Sequence, residues 1–230
     1  MKPFVLSLFC SLCCLVSAGQ VIGTYSNQLT DSQGFLIKTA NRDNVQGSPY
    51  LSEDWSAGTI NINADKKFKL SRLRFDALLN RVEYQYEEKI YEPTVAFNEF
   101  TIQLSDGNDG QTARTFRRGF PAAEENNEKT FYEVLYDGKN KLLRKTHVRI
   151  NEYPEPLSTV RVKRFAKVEV LYLYDVPTNQ LIKLGKKDKK AVLAALSGKR
   201  EQLNQYIDEQ KLKLNSEANI IKLLAYYDAM

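Results

Sequence analysis

The side chains able to do chemistry are few and poorly grouped. His147 is the only histidine of the 230-residue chain, in the run Lys145-Thr146-His147-Val148-Arg149. The two-residue period of a strand puts it on one face with Lys145 and Arg149. An imidazole placed among cations there is expected to face solvent rather than to act as a base. Every histidine-dependent triad would have to run through this residue, and no Gly-x-Ser-x-Gly turn accompanies it. Zinc normally draws on His and Cys, so a metal site would fall to carboxylates alone. The segment Asp106-Gly107-Asn108-Asp109-Gly110 has the acid and glycine density of a calcium loop. Counted from Asp106, however, Gly110 and Arg117 occupy the fifth and twelfth places, where an EF-hand needs oxygen ligands. A polar hairpin turn is the expected role. There is neither a Gly-x-Gly-x-x-Gly nor a P-loop, and no cofactor is expected.

Acids and cations remain. Glu83, Glu87, Glu88, Glu92, Glu99 and Glu133 stand beside aromatics. Two of them meeting from separate strands would make the acid and base of a glycan hydrolase, but solvated strand faces show the same alternation. Lys183, Lys186, Lys187, Lys189 and Lys190 form the sharpest charge cluster, where a strand pattern gives way to a helical one. Dense ammonium groups attract lipid headgroups, phosphates or acidic polysaccharide, whereas a solvated linker would carry the same residues without binding anything. Arg161, Lys163, Arg164 and Lys167, interleaved with Val160, Val162 and Phe165, read as a strand with one charged face. Trp55, the only tryptophan, joins the five lysines as a candidate binding residue.

Residues 1–18 read as a signal peptide. Lys2 supplies the positive start, residues 4–16 are apolar, and Val16-Ser17-Ala18 offers small residues for cleavage after Ala18. The run is shorter than the roughly 20 residues of a membrane span, and no later run is long enough, so no transmembrane segment is expected. Cys10, Cys13 and Cys14 all lie in this leader, preceded by Phe9, Leu12 and Cys13, which make a poor acylation box. The mature chain would therefore contain no cysteine, disulfide or thiolate, and its stability would come from a hydrophobic core. Losing Lys2 lowers the formal net charge from +5 to +4, too mild to imply nucleic acid.

The elements that must position these groups fall into three stretches. Residues 19–57 are polar and turn-rich, an N-terminal arm or early strands. Residues 58–184 alternate with period two, as in Thr59-Ile60-Asn61-Ile62-Asn63, and are rich in Tyr, Phe, Val and Thr. Turn signals separate the alternating runs at Asn63-Ala64-Asp65, Asp106-Gly107, Asp109-Gly110, Asp137-Gly138 and Pro177-Thr178-Asn179. Residues 185–230 change to a helical period. Asp188 would cap a helix carrying Val192, Leu193 and Leu196 and ending at Gly198. Leu203, Tyr206 and Ile207 mark a second helix. Ser216 and Glu217 open a third, with Ile220, Leu223, Leu224 and Tyr227 on one stripe. The expected fold is mainly β (α+β): an antiparallel curled sheet, barrel or sandwich, with a C-terminal cluster of three short helices packed on it.

Gly47-Ser48-Pro49-Tyr50-Leu51, then Asp54-Trp55 and Gly58, then Leu73-Arg74-Phe75-Asp76 and Val82-Glu83-Tyr84, resemble a pattern in exported β-rich proteins of Bacteroidota-type bacteria. The run Phe131-Tyr132-Glu133-Val134-Leu135-Tyr136 and the closing Tyr226-Tyr227 are similar to the later part of those proteins. The resemblance implies export to the periplasm or beyond; that family has no assigned activity and adds no site. The expected function is a non-catalytic binding or structural interaction module of the bacterial cell envelope. Its partner would be an envelope protein or an anionic glycan or lipid headgroup, with oligomeric state left open. The alternative is a barrel-like carrier in which the aromatics line a cavity for a small apolar ligand, with the glycan hydrolase third.

Overall fold

Alternating sequence becomes strand wherever turn residues interrupt it. The computed structural model describes residues 29–37, 44–63, 65–105, 110–154, 160–184, 189–196 and 198–230. The leader, Asp106 to Asp109, and Lys186, Lys187 and Asp188 lie outside the described residues. The strands are β1 (Gly34–Leu36), β2 (Val45–Gln46), β3 (Ser56–Asn61), β4 (Lys67–Asp76), β5 (Arg81–Tyr86) and β6 (Lys89–Pro93). They continue with β7 (Glu99–Ser105), β8 (Gln111–Arg117), β9 (Tyr132–Asp137), β10 (Asn140–Pro154), β11 (Arg161–Asp175) and β12 (Gln180–Leu184). The helices α1 (Lys189–Ala195), α2 (Arg200–Glu209) and α3 (Glu217–Ala229) follow.

The local chemistry of the ends is as expected. Asn63 Oδ1 accepts the backbone N–H groups of Asp65 (3.0 Å) and Lys66 (2.8 Å), closing the β3–β4 turn. Ser216 caps α3 by accepting the Asn219 N–H at 3.3 Å. Gly198 takes a left-handed φ of 72° between α1 and α2, a conformation that glycine adopts without strain.

All the strands join one curled, unclosed sheet in the order β1-β6-β5-β4-β3-β7-β8-β9-β10-β11-β12. The pairings are antiparallel, except that β2 lies parallel to β11 at Lys163 and Arg164. The curl brings β10 back to the end of β4, where the Val148 N–H donates to the Ala77 carbonyl at 3.2 Å. The segment before β3 fills the same corner. Leu51 N donates to Phe75 O, and Ala77 N donates to Pro49 O, both at 2.9 Å.

Three apolar clusters hold this shape. Inside the curl Phe75 packs on Phe100, Phe116 and Phe131 with ring centroids 5.5, 5.6 and 6.1 Å away, and Phe100 stacks on Phe116 at 4.9 Å. A second cluster places Leu142, Leu171, Leu173 and Leu184 against Val192, Leu203, Ile220, Leu223 and Leu224 of the helices. A third, formed by Phe120, Tyr132, Leu143 and Tyr172, covers the opposite face of β9, β10 and β11. Adjacent Leu142 and Leu143 are thus buried on opposite faces, as are Leu171 and Tyr172. Each such side chain contributes on the order of 2 kcal/mol, which is how helices too short to stand alone stay folded.

Candidate interaction surface

Two strands outrun their neighbours. β10 and β11 pair over fifteen positions, from Asn140 opposite Asp175 to Pro154 opposite Arg161. β9 flanks β10 only as far as Arg144, and β12 flanks β11 only from Leu171 onward. Beyond those points β10 and β11 continue as a two-stranded arm. A lone ribbon is marginal in water, so its base must be anchored. Val148 is buried against the inner core, Phe165 packs beside it, and Lys167 Nζ donates to the Leu51 carbonyl at 2.8 Å. β2 supplies the remaining brace, with Gln46 Oε1 accepting from Arg164 Nε at 2.9 Å.

The arm carries Ile150, Tyr153 and Val160, 44%, 38% and 55% exposed; Phe35 and Leu36 of β1 are also exposed, but without the arm's concentration of cations. Register divides the side chains. Arg149, Asn151 and Tyr153 share a face with Val162, Arg164 and Ala166, while Ile150 and Glu152 share the other with Arg161, Lys163, Phe165 and Lys167. The single charged face expected for this stretch is therefore corrected. Arg164 stands with Tyr153, its guanidinium 5.8 Å from the ring, and cations flank the ribbon on both sides. Their partners leave charge over: Arg149 pairs with Glu125 (3.4 Å), but Glu152 serves both Arg161 (3.3 Å) and Lys163 (3.9 Å), while Arg164 and Lys167 bond to neutral acceptors.

Elsewhere on the sheet cations meet carboxylates in ladders. Glu83 accepts from Arg74 at 2.9 Å and Arg81 at 2.6 Å. Arg117 bridges Glu99 (2.6 Å) and Asp137 (3.1 Å). Burial pulls the Arg117 pKa down, but these two acids outweigh it and hold it above its ordinary value. Glu133, almost wholly enclosed, accepts from Arg114 Nε at 2.6 Å and Arg144 Nε at 2.8 Å, and Arg144 reaches on to Glu217 of α3 at 3.2 Å. Glu83, Glu99 and Glu133, three of the candidate hydrolytic acids, are thus engaged by guanidinium groups.

The residues singled out from sequence fall apart in space. Trp55 is half-buried, with its ring 4.1 Å from the Arg74 guanidinium, which also lies 3.5 Å from the Tyr50 ring. Lys183, exposed on β12, donates to Glu124 at 2.7 Å, and Lys189 at the start of α1 pairs with Asp208 at 3.2 Å. Lys190 is exposed beside it on α1. His147 departs from the solvent-facing role. It is half-buried and both its ring nitrogens are enclosed without a hydrogen-bond partner. Burial first, and then Lys145 and Arg149, push its pKa below the ordinary value.

Among the described residues no group of three or more His, Cys, Asp or Glu is arranged to hold a metal, and no helix is long and apolar enough to cross a membrane. Sequence reasoning missed the arm because its signal, Val160 to Lys167 with mixed charge and apolar residues, reads as an ordinary strand until the flanking strands are seen to stop short. No family model, curated protein or solved structure matches this chain.

Proposed function

We propose that the protein is a non-catalytic interaction module of the bacterial cell envelope, exported to it and docking through the β10–β11 arm. The observation carrying this reading is the exposure of Ile150, Tyr153 and Val160 among cations at the end of a ribbon that β9 and β12 do not flank and only the short β2 braces. An exposed apolar group rimmed by polar ones marks a surface that binds something. The carrier reading has less support, because stacked Phe rings occupy the inner face that a cargo would need. Native mass spectrometry of the chain recovered from an envelope tests the choice. The module appears at its bare mass or with a macromolecular partner that is lost on Tyr153→Ser. An excess of a few hundred daltons, released on denaturation, would overturn the reading in favour of a carrier.

A further inference from the structure

We infer that the arm's partner is an anionic lipid surface, which the outer end of the β10–β11 ribbon meets with Ile150, Tyr153 and Val160 while the cations behind them contact phosphates. The inference rests on the interaction reading above and names its partner class. Charge is the first argument. From residue 149 to 167 the chain holds five Lys or Arg (Arg149, Arg161, Lys163, Arg164, Lys167) against Glu152 and Glu155, and of the five Arg149 also pairs with Glu125 at 3.4 Å. The hydrogen bonds of Arg164 and Lys167 to Gln46 and the Leu51 carbonyl neutralise neither cation. The kind of apolar group points the same way. Aromatic rings stack on sugars, but Ile150 and Val160 are aliphatic and gain little from a hydrated glycan. At a headgroup boundary the same side chains leave water, and Tyr153 has the apolar ring and polar tip that suit the interface. Placement agrees. Tyr153 and Val160 sit at the outer end of a braced ribbon and Ile150 lies three positions inward on the other face, with cations on both faces, so end-on insertion of Tyr153 and Val160 brings the cations and Ile150 to headgroup level.

The test is sedimentation of the chain, purified after export, with phosphatidylglycerol-rich vesicles and with pure phosphatidylcholine vesicles, at low and high salt. Binding is expected on the anionic vesicles only and is expected to weaken with salt. The combined variant R161Q/K163Q/R164Q is expected to lower the partition coefficient roughly a hundredfold, at roughly fivefold per cation near the surface. The variant I150S/Y153S is expected to lower it about tenfold or more while leaving the salt dependence in place. A matched variant, K66Q/K67Q/K69Q, removes equal charge from exposed residues at the start of β4 and is expected to bind within a few-fold of the original. Equal losses from the two triple variants would overturn the assignment to the arm, and indifference to lipid charge would overturn the lipid partner. Arm-dependent binding to polygalacturonate but not to vesicles would also overturn the lipid partner, yet leave the interaction module standing. Failure of the module itself shows separately, as small cargo in the native mass spectrum.

Discussion

Asn140 and Asp228 lie 88 residues apart in sequence, and the Asn140 side-chain amide donates to Asp228 Oδ1 at 2.7 Å. The same carboxylate receives the Tyr136 hydroxyl at 3.1 Å, so the last turn of α3 is pinned to the β9–β10 hairpin. Burial and then Asp228 raise the Tyr136 pKa above its ordinary value. Gly138 leaves room for this contact, because a Cβ there would lie 2.1 Å from Asp228 Oδ2. Asp228→Ala strands these donors and is expected to cost about 2–3 kcal/mol in urea unfolding. Helical circular dichroism should fade before the β signal, and simultaneous loss of the two would show that the helices do not peel away first.

Glu133 carries a comparable burden between strands. It is nearly enclosed, and both Arg114 and Arg144 point their guanidinium groups at it. Glu133→Gln keeps the shape but leaves two partly buried cations facing a neutral amide. The expected destabilisation is about 3 kcal/mol, near the lower end for breaking a buried pair because both arginines keep some solvent access. Replacing Arg114 by Met in the same chain should recover part of it. A double variant no more stable than Glu133→Gln alone would refute the charge argument and leave packing as the cause.

The indole of Trp55 reports on Arg74. Tyr50 and Trp55 both lie close to this guanidinium, at 3.5 and 4.1 Å, and Arg74 is also tied to Glu83. Arg74→Met removes the cation that orders both rings, with an expected loss of about 1–2 kcal/mol. Because Trp55 is the only tryptophan, its fluorescence reads the change directly: the emission should shift to the red and quench more readily with acrylamide. An unchanged spectrum would mean that Pro49 and Leu51, not the cation, hold the segment.

Much of this architecture was legible from local chemistry. The alternation at residues 59–63, the turns at Asn63-Ala64-Asp65 and Pro177-Thr178-Asn179, the Ser216 cap and the Ile220-Leu223-Leu224 stripe all depend on neighbours a few residues away. The two-sided burial of β11, Leu171 and Leu173 toward the helices and Tyr172 away from them, follows from alternation of apolar side chains on both of its faces. What escaped depends on distant strands. Lys183 looked like part of a free cluster because its partner Glu124 is 59 residues earlier. The arm was hidden for the same reason, since Ile150 and Tyr153 are exposed only because β9 and β12 are too short to flank them. His147 is half-buried although it shares a face with Lys145 and Arg149, because alternation tells which residues share a face but not what covers that face.

Gly58 is a residue whose reason lies in strand spacing. It sits in β3 between β4 and β7, where an added Cβ would fall 2.5 Å from Leu73 Cδ2 and 2.6 Å from the Thr101 carbonyl oxygen. The register of β3 against β4 also shifts between Ser56 and Gly58. Gly58→Ala therefore overpacks the middle of the sheet, with an expected loss of about 1–3 kcal/mol. A guanidinium midpoint equal to that of the original chain would show that the strands stand further apart there.

His147 gives the pH dependence. In the unfolded chain its imidazole takes up a proton near pH 6.5, whereas in the fold burial, Lys145 and Arg149 oppose that proton and Glu125 only partly offsets them. Below about pH 6.5 the unfolded state thus binds more protons than the folded state, and stability falls as pH falls. The contribution is complete above the unfolded value and is lost as pH drops through 6.5 toward the lower folded value. His147→Gln removes the titration and should flatten this part of the stability curve while leaving the neutral-pH midpoint close to the original. Urea midpoints measured for both chains between about pH 5 and 7.5 decide it, in the range where histidine titrates. Parallel slopes would mean that the ring takes up its proton as readily in the fold as in water.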